Sequence, residues 1–242
     1  MALFSDFDGT LAPIVPRPDH ARLPETARRS LRQLSRRPGV TVGLVSGRAI
    51  GDLRPLVGLR GVCYIGSHGE EWMGTDGRLH RRRDIRVLRR IQQMRRELRR
   101  KLSRLPGIYV EWKPVSVAVH YRAATPEAAR KARREVERDL RNQARGFRLL
   151  KGKKMREILP PGKTSKGQAV FAVLARLTRR RKLRPLLLYL GDDVTDETVF
   201  QRLRPRDIGI HVGGRARTRA RYHLDSPVEV VRFLSRLAEA MK

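Results

Sequence analysis

Two hydrophobic rhythms alternate along most of this chain. Ala2 to Phe7, Val40 to Val45 and Val62 to Ile65 are short apolar runs rich in β-branched or aromatic residues, and each reads as a strand. Between them, Ala27, Leu31 and Leu34 recur at helical spacing after Pro24, and Pro38-Gly39 stops that helix. Ile50, Leu53 and Leu56 predict a second, shorter helix. Towards the other end, Leu186 to Leu190 and Ile208 to Val212 predict two more strands, with a helix over Thr195 to Leu203 between them. Wholly apolar strands separated by helices are expected of a parallel sheet covered on both faces.

The middle of the chain follows a different pattern. Val87, Ile91, Met94, Leu98 and Leu102 share one helix face. Val115, Val117, Val119 and Tyr121 then alternate with Ser116, Ala118 and His120, as in a half-buried antiparallel strand. A helix from Pro126 carries Ala128, Ala132, Val136 and Leu140 four apart, and two strand-like runs follow around Phe147 to Leu150 and Met155 to Leu159. The expected architecture is therefore α/β: a Rossmann-like parallel sheet core over 1–81 and 161–242, with an inserted α+β module over 82–160.

Composition narrows the classes. The 242 residues suffice for a substantial core. Cys63 is the only cysteine, which excludes an intramolecular disulfide and a cysteine metal cluster. The longest apolar runs fall far short of the ~18 residues a membrane span needs. Asp6 and Asp8 interrupt the stretch a signal peptide would keep apolar, so a cytoplasmic location is expected. The net charge is +31, from 55 basic and 24 acidic residues, with basic clusters over 81–104 and 176–184. Such charge suits nucleic acid. Its spread over many segments, and an aromatic content of only 5%, fit arginine-rich solvated helix faces better than a stacking platform.

In open α/β sheets, ligands bind beyond the carboxyl ends of the strands. Four polar stretches fall there. Asp6-Phe7-Asp8-Gly9-Thr10 follows the first strand, and strand alternation places Asp6 and Asp8 on one side. Ser46-Gly47-Arg48 follows the second. Lys166 opens a helix carrying Val170, Val173, Leu174 and Leu177. Gly191-Asp192-Asp193-Val194-Thr195-Asp196-Glu197 follows Leu186 to Leu190. Aspartates at strand ends also serve as helix caps and turn residues, and Ser46-Gly47 also reads as an ordinary turn.

In this order the four stretches resemble the motifs of the haloacid-dehalogenase-like phosphohydrolases. The segments DGTLAPIV, VSGR, GSHGEEW, VEWKPVSVAVHYR, GKKMREILPPGKTSKGQAV, YLGDDVTDETVF and YHLDSPVEVVRFL are similar to one family of that group, the trehalose-6-phosphate phosphatases. The resemblance implies hydrolysis of trehalose 6-phosphate to trehalose and phosphate through an aspartyl-phosphate on Asp6. It implies Asp8 as the acid and base, and Ser46 and Lys166 as ligands of the phosphoryl oxygens. Mg²⁺ would be held by Asp6, the Asp8 backbone carbonyl and Asp192, with Asp193 and Asp196 around it. The substrate would come from a separate trehalose-6-phosphate synthase.

The inserted module then becomes a cap that closes over the site and recognises the sugar. Lys153 and Glu157 are its candidate contacts, and an ion pair between them is the structural alternative. His68 and Glu70 are expected near the site entrance. Arg48 is expected either on the substrate or in a structural ion pair, and His120 within the cap sheet. Lys163 competes with Lys166, which the resemblance favours because the family pattern places a lysine directly before Gly167. Two rival functions remain at this point. One is the same chemistry on sucrose phosphate or mannosylglycerate phosphate. The other is a nucleic-acid-binding protein on a retired phosphatase core. A nucleic-acid or membrane partner is not expected.

Overall fold

A computed structural model describes residues 1–81, 85–113, 115–143, 146–161, 165–214 and 217–241. Two compact units emerge, one of residues 1–81 with 164–242 and the other of 82–163.

In the first unit the strands are β1 (Ala2–Asp6), β2 (Thr41–Val45), β3 (Cys63–Gly66), β4 (Glu71–Met73), β5 (Leu79–Arg81), β10 (Leu187–Gly191), β11 (Ile208–Val212) and β12 (Tyr222–Leu224). The helices are α1 (Glu25–Ser35), α2 (Ile50–Val57), α5 (Lys166–Arg181), α6 (Glu197–Phe200) and α7 (Pro227–Ala240). Among the described residues these strands make one eight-stranded sheet in the order β12-β11-β10-β1-β2-β3-β4-β5. From β12 to β3 the pairs are parallel, and β4 and β5 add antiparallel strands at one edge.

Strand alternation sorts the core into two layers. Leu3, Val42, Leu44, Tyr64, Leu188 and Leu190 face α1, α2 and α7, burying Leu31, Leu53 and Leu234. Ala2, Phe4, Val45, Ile65, Leu187 and Tyr189 face α5 and α6, burying Val170, Leu174 and Phe200. Covered on both faces, the central strands are fully buried and carry no polar alternation. The layers also decide where chemistry can occur. Asp6 follows Ala2 and Phe4 on the α5 side, and α5 begins at Lys166.

The second unit contains α3 (Ile85–Leu102), β6 (Tyr109–Trp112), β7 (Val117–His120), α4 (Pro126–Gln143), β8 (Arg148–Gly152) and β9 (Met155–Leu159). Its antiparallel sheet runs β6-β7-β9-β8. Val117, Val119 and Ile158 pack under α3 and α4 against Ile91, Met94, Leu98, Ala132 and Val136. The opposite sheet face carries the row Glu111, Ala118, Glu157 and Leu150.

The alternation of parallel strands and helices, and the separate α+β unit, agree with the expectation. The helix expected over Thr195 to Leu203 is regular only over Glu197–Phe200. Pro205 bars its extension, and the Arg204 N–H is given to Asp207 instead. Strands β4, β5, β6 and β12 have three or four residues each, and β5 is exposed throughout, so no alternation marks them. Helix α7, whose Val230, Leu234 and Ala238 are buried at four-residue spacing, also lies outside the expected set.

Asp207 ties the amino ends of β10 and β11 together. It accepts two bonds from the Arg184 fork, at 2.9 and 2.6 Å, and one each from the Leu187 and Arg204 amides. Burial alone would raise its pKa, but these four donors outweigh it and hold the carboxyl below its ordinary value. Its stabilisation is complete above the unfolded-state pKa of about 3.9 and fades as pH falls through the lower folded value. Replacement Asp207→Asn is expected to cost about 2 kcal/mol in urea unfolding at pH 7. The deficit should shrink as the unfolding series moves below pH 4, and a pH-independent deficit would contradict this account.

Candidate active site

The carboxyl ends of β1, β2 and β10 lie side by side, because β1 pairs in parallel with both neighbours. Asp6 is the last residue of β1 and Gly191 the last of β10, so Asp6 and Asp192 leave the same sheet edge. Beyond β10 the chain turns and brings back Asp196, which is buried.

Lys166 reaches this cluster from the start of α5. Its buried ammonium donates to Asp6 Oδ1 at 2.6 Å and to Asp196 Oδ1 at 2.9 Å. Asp196 also accepts from the Tyr189 hydroxyl at 2.6 Å and from the Asp193 amide at 3.1 Å. The Thr10 hydroxyl lies 3.4 Å from Asp192 Oδ1.

Glycines make the crowding possible. A Cβ on Gly9, whose φ is +92°, would stand 2.3 Å from Asp192 Oδ2. One on Gly191 would stand 2.4 Å from Asp196 Cγ, and one on Gly167 would stand 2.0 Å from the Thr198 carbonyl oxygen. The last contact seats the first turn of α5 against the Asp196 segment.

Burial pushes Asp6 well above the usual aspartate range, and the charges of Asp196 and Asp192 add to this against the pull of Lys166. Burial alone would lower Lys166, but Asp196 and Asp6 more than offset it and hold the ammonium charged. Asp6, Asp192 and Asp196 each place one carboxylate oxygen within 4.8 Å of the others. Among the described residues, this cluster sets three carboxyl groups against one ammonium. An oxygen-only donor set of this kind fits a hard divalent cation.

The other residues singled out in the sequence have separate surroundings. Strand β1 ends before Asp8, so alternation no longer governs its carboxylate. Asp8 instead accepts both arms of Arg48, Nε at 2.7 Å and Nη2 at 2.6 Å. Buried Ser46 follows β2, beside the Asp6–Val45 pair, and its hydroxyl accepts the Arg48 amide at 3.0 Å. His68 has a left-handed backbone, φ +54°, and its ring covers Gly47 so closely that a Cβ there would lie 2.7 Å from it. Glu70 is buried next to this turn. Half-buried Asp193 accepts the amide of Val194 at 2.7 Å. Lys163 lies outside the described residues.

In the second unit, Glu157 is fully buried and accepts from Lys113 Nζ at 3.0 Å and from the Ser116 hydroxyl at 2.6 Å. Lys153 is exposed in the turn between β8 and β9. Glu111 lies 2.7 Å from His120 Nε2 and 3.9 Å from Lys113. Burial would raise Glu111, but His120 and Lys113 outweigh it and hold it low. Sequence reading missed Tyr189, Glu111, Lys113 and Ser116 as members of these clusters. Lys113 follows β6 and Ser116 precedes β7, and the pairing of β7 with β9 brings them to Glu157.

Comparison with known proteins bears on this geometry. The family model described as trehalose-phosphatase matches residues 4–228. This chain belongs to that family. A trehalose-phosphate phosphatase of Mycobacterium tuberculosis is 38% identical over 250 residues, covering 100% of this chain and 62% of the relative. The chain thus spans about three fifths of the length of that trehalose-phosphatase relative. The crystal structure of a trehalose-6-phosphate phosphatase related protein superposes with a TM-score of 0.85 at 24% identity, covering 99% of this chain and 98% of that one. A haloacid dehalogenase-like hydrolase from Bacteroides thetaiotaomicron superposes at 0.69 and 14%, covering 98% of each. The fold of this trehalose-phosphatase family member is therefore haloacid-dehalogenase-like.

Gly167 and Gly51 allow a direct test of the packing around Lys166. Gly167→Ala forces a methyl into the Thr198 backbone and should lower stability by about 1–3 kcal/mol. Gly51, in α2, has open space around its Cα, so Gly51→Ala should be neutral or stabilising by up to about 1 kcal/mol. Equal Tm values for the two variants would refute the close-approach account.

Proposed function

We propose that this chain is a Mg²⁺-dependent phosphatase that hydrolyses trehalose 6-phosphate to trehalose and phosphate. The observation that carries the reading is the buried Lys166 ammonium on Asp6, within a carboxylate cluster at the sheet's carboxyl edge. Family membership and the relatives' printed activity support the substrate.

Asp6 is the nucleophile in this reading. Its Oδ attacks phosphorus, the sugar oxygen leaves, and an aspartyl-phosphate forms. Lys166 keeps Asp6 oriented and presents positive charge to the phosphoryl oxygens. Ser46 offers a hydroxyl and the adjoining turn offers amides to the same oxygens. Asp8 supplies the proton to the leaving oxygen and later takes one from the attacking water. Both Asp8 oxygens are bonded to Arg48, so this pair has to open for the proton to move. Arg48 is then the group that positions Asp8. Asp6, Asp192 and the Asp8 carbonyl would hold Mg²⁺, with Asp193 and Asp196 beside them. When bound, the ion would neutralise charge on the transferring group.

Sugar recognition is assigned to the polar face of the second unit's sheet. Glu157, Lys113 and Glu111 offer the charged acceptors and donor that a disaccharide's hydroxyls bind best. Lys153 joins them as an exposed ammonium. The substrate would be supplied by a separate synthase. Among the described residues no helix is long and apolar enough to cross a membrane.

Phosphate release with Mg²⁺ should be strong from trehalose 6-phosphate and weak from sucrose and glucose 6-phosphates. Asp6→Asn should reduce it by at least about a thousandfold while the protein stays folded. Release from another sugar phosphate alone would overturn the substrate, and release unaffected by Asp6→Asn would overturn the mechanism. A second test reads the metal without turnover. At Mg²⁺ about a hundredfold above its Kd, thermal unfolding should report about 2.7 kcal/mol of added stability. Asp192→Asn should remove most of that gain, and an unchanged gain would place the ion elsewhere.

A further inference from the structure

The second unit has a cavity that none of this chemistry uses. It holds about 320 Å³ and lies where the amino half of α4 meets the β8–β9 turn and the end of β7. Arg130, Arg133, Lys154 and Arg156 line it around Tyr121. Arg156 precedes Glu157 in β9, so alternation puts it on the helix side of the sheet, away from the Glu111–Glu157 row. Among the described residues no carboxylate lines the cavity.

Three observations together define this place. First, among the described residues none of the four cations forms an ion pair. Elsewhere in the same unit Arg138 pairs with Glu135, and Lys101 with Asp139. Second, Arg156 Nε is sealed from solvent with no acceptor. Its Nη1 donates to the neutral Tyr121 hydroxyl and Met155 carbonyl, so the half-buried charge itself is left without a carboxylate and favours an anion on its open side. Third, the site is held in shape. Arg156 Nη1 donates to the Tyr121 hydroxyl at 2.7 Å, and the Arg133 and Arg156 guanidinium carbons each lie 5.9 Å from the Tyr121 ring centroid.

We propose that this cavity is a second anion site, separate from the Asp6–Lys166 cluster, and that it takes a short chain of linked phosphates. Three guanidinium groups match phosphate oxygens in geometry, and the lysine adds a point charge. Four converging positive charges exceed what one orthophosphate neutralises, whereas a triphosphate balances them. The volume admits a chain of that size and excludes a folded partner. The site requires nothing of the phosphatase reading.

The test is calorimetric titration of the full, metal-free chain with inorganic tripolyphosphate at fixed ionic strength. One equivalent should bind, more tightly than orthophosphate. The double variant Arg130→Gln/Arg133→Gln should bind about tenfold more weakly or worse, as loss of charge-assisted hydrogen bonds implies. Arg96→Gln/Arg99→Gln removes the same charge from α3 and should keep the affinity within about twofold, as a screened, distant change of charge would. Equal weakening in both double variants would mean diffuse attraction by the net charge and overturn the site. Unchanged affinity in Arg130→Gln/Arg133→Gln would also overturn it. Should that variant not fold, Lys154→Gln decides: weaker binding supports the site and unchanged binding refutes it. ATP in place of tripolyphosphate separates the two sources of the chain. Equal affinity means that the phosphates alone are held, tighter binding means that a nucleoside adds contacts, and both support the proposal.

Discussion

Everything at the carboxyl edge of the large sheet depends on one buried ammonium. Lys166 lies between Asp6 and Asp196, and without it three carboxylates would share a site that excludes water. Removing one partner from such a group leaves uncompensated charge in the interior, which costs several kcal/mol. The fold therefore has to deliver Lys166 to the right place. Parallel pairing aligns the ends of β1 and β10, and the Gly167–Thr198 contact sets α5 against the returning Asp196 segment. Tyr189 adds its hydroxyl to Asp196 from within the sheet. On β1 strict alternation leads from the apolar layer into the charged one: Ala2, Phe4, then Asp6.

That alternation explains why the core was legible. A strand buried on both faces must be apolar throughout, so Ala2–Asp6, Thr41–Val45 and Leu187–Gly191 stand out from any amphipathic surroundings. A polar residue that ends such a strand stands out as clearly, which is how Asp6 and Asp192 were found. Elements that bury little were not legible. Strand β5 is exposed at every position, and β12 at two of its three. Their pairing is decided by neighbours distant in sequence, and no local pattern records it.

The site residues divide along the same line. Asp6, Lys166 and Asp196 come from three separate stretches, and motif order alone anticipated their grouping. What motif order could not carry was the partner of each charge. Asp8 and Arg48, forty residues apart, lock as a bidentate pair because β1 and β2 are neighbours. Glu157 reads from sequence as a partner of Lys153, four residues away, yet its ammonium contact is Lys113, forty-four residues away. In a sheet the cross-strand neighbour is set by register, and sequence distance says nothing of it.

The net charge of +31 has to be reconciled with a site whose own charge is negative. The two act over different ranges. At physiological ionic strength, exposed charges are screened beyond about 8 Å, so exposed arginines act on an approaching anion only near the surface that carries them. Within the carboxylate cluster, the buried groups interact with weak screening and set the local balance themselves. An anionic substrate can thus be drawn in by the molecule and still need a cation at the point of reaction. Basic surface and acidic site are compatible because burial separates them electrically. The same reasoning applies in the Arg156 cavity, where Arg133 and Arg156 are half-buried and Arg130 and Lys154 are exposed. The two half-buried guanidinium groups have lost the most solvent and gain the most from an anion.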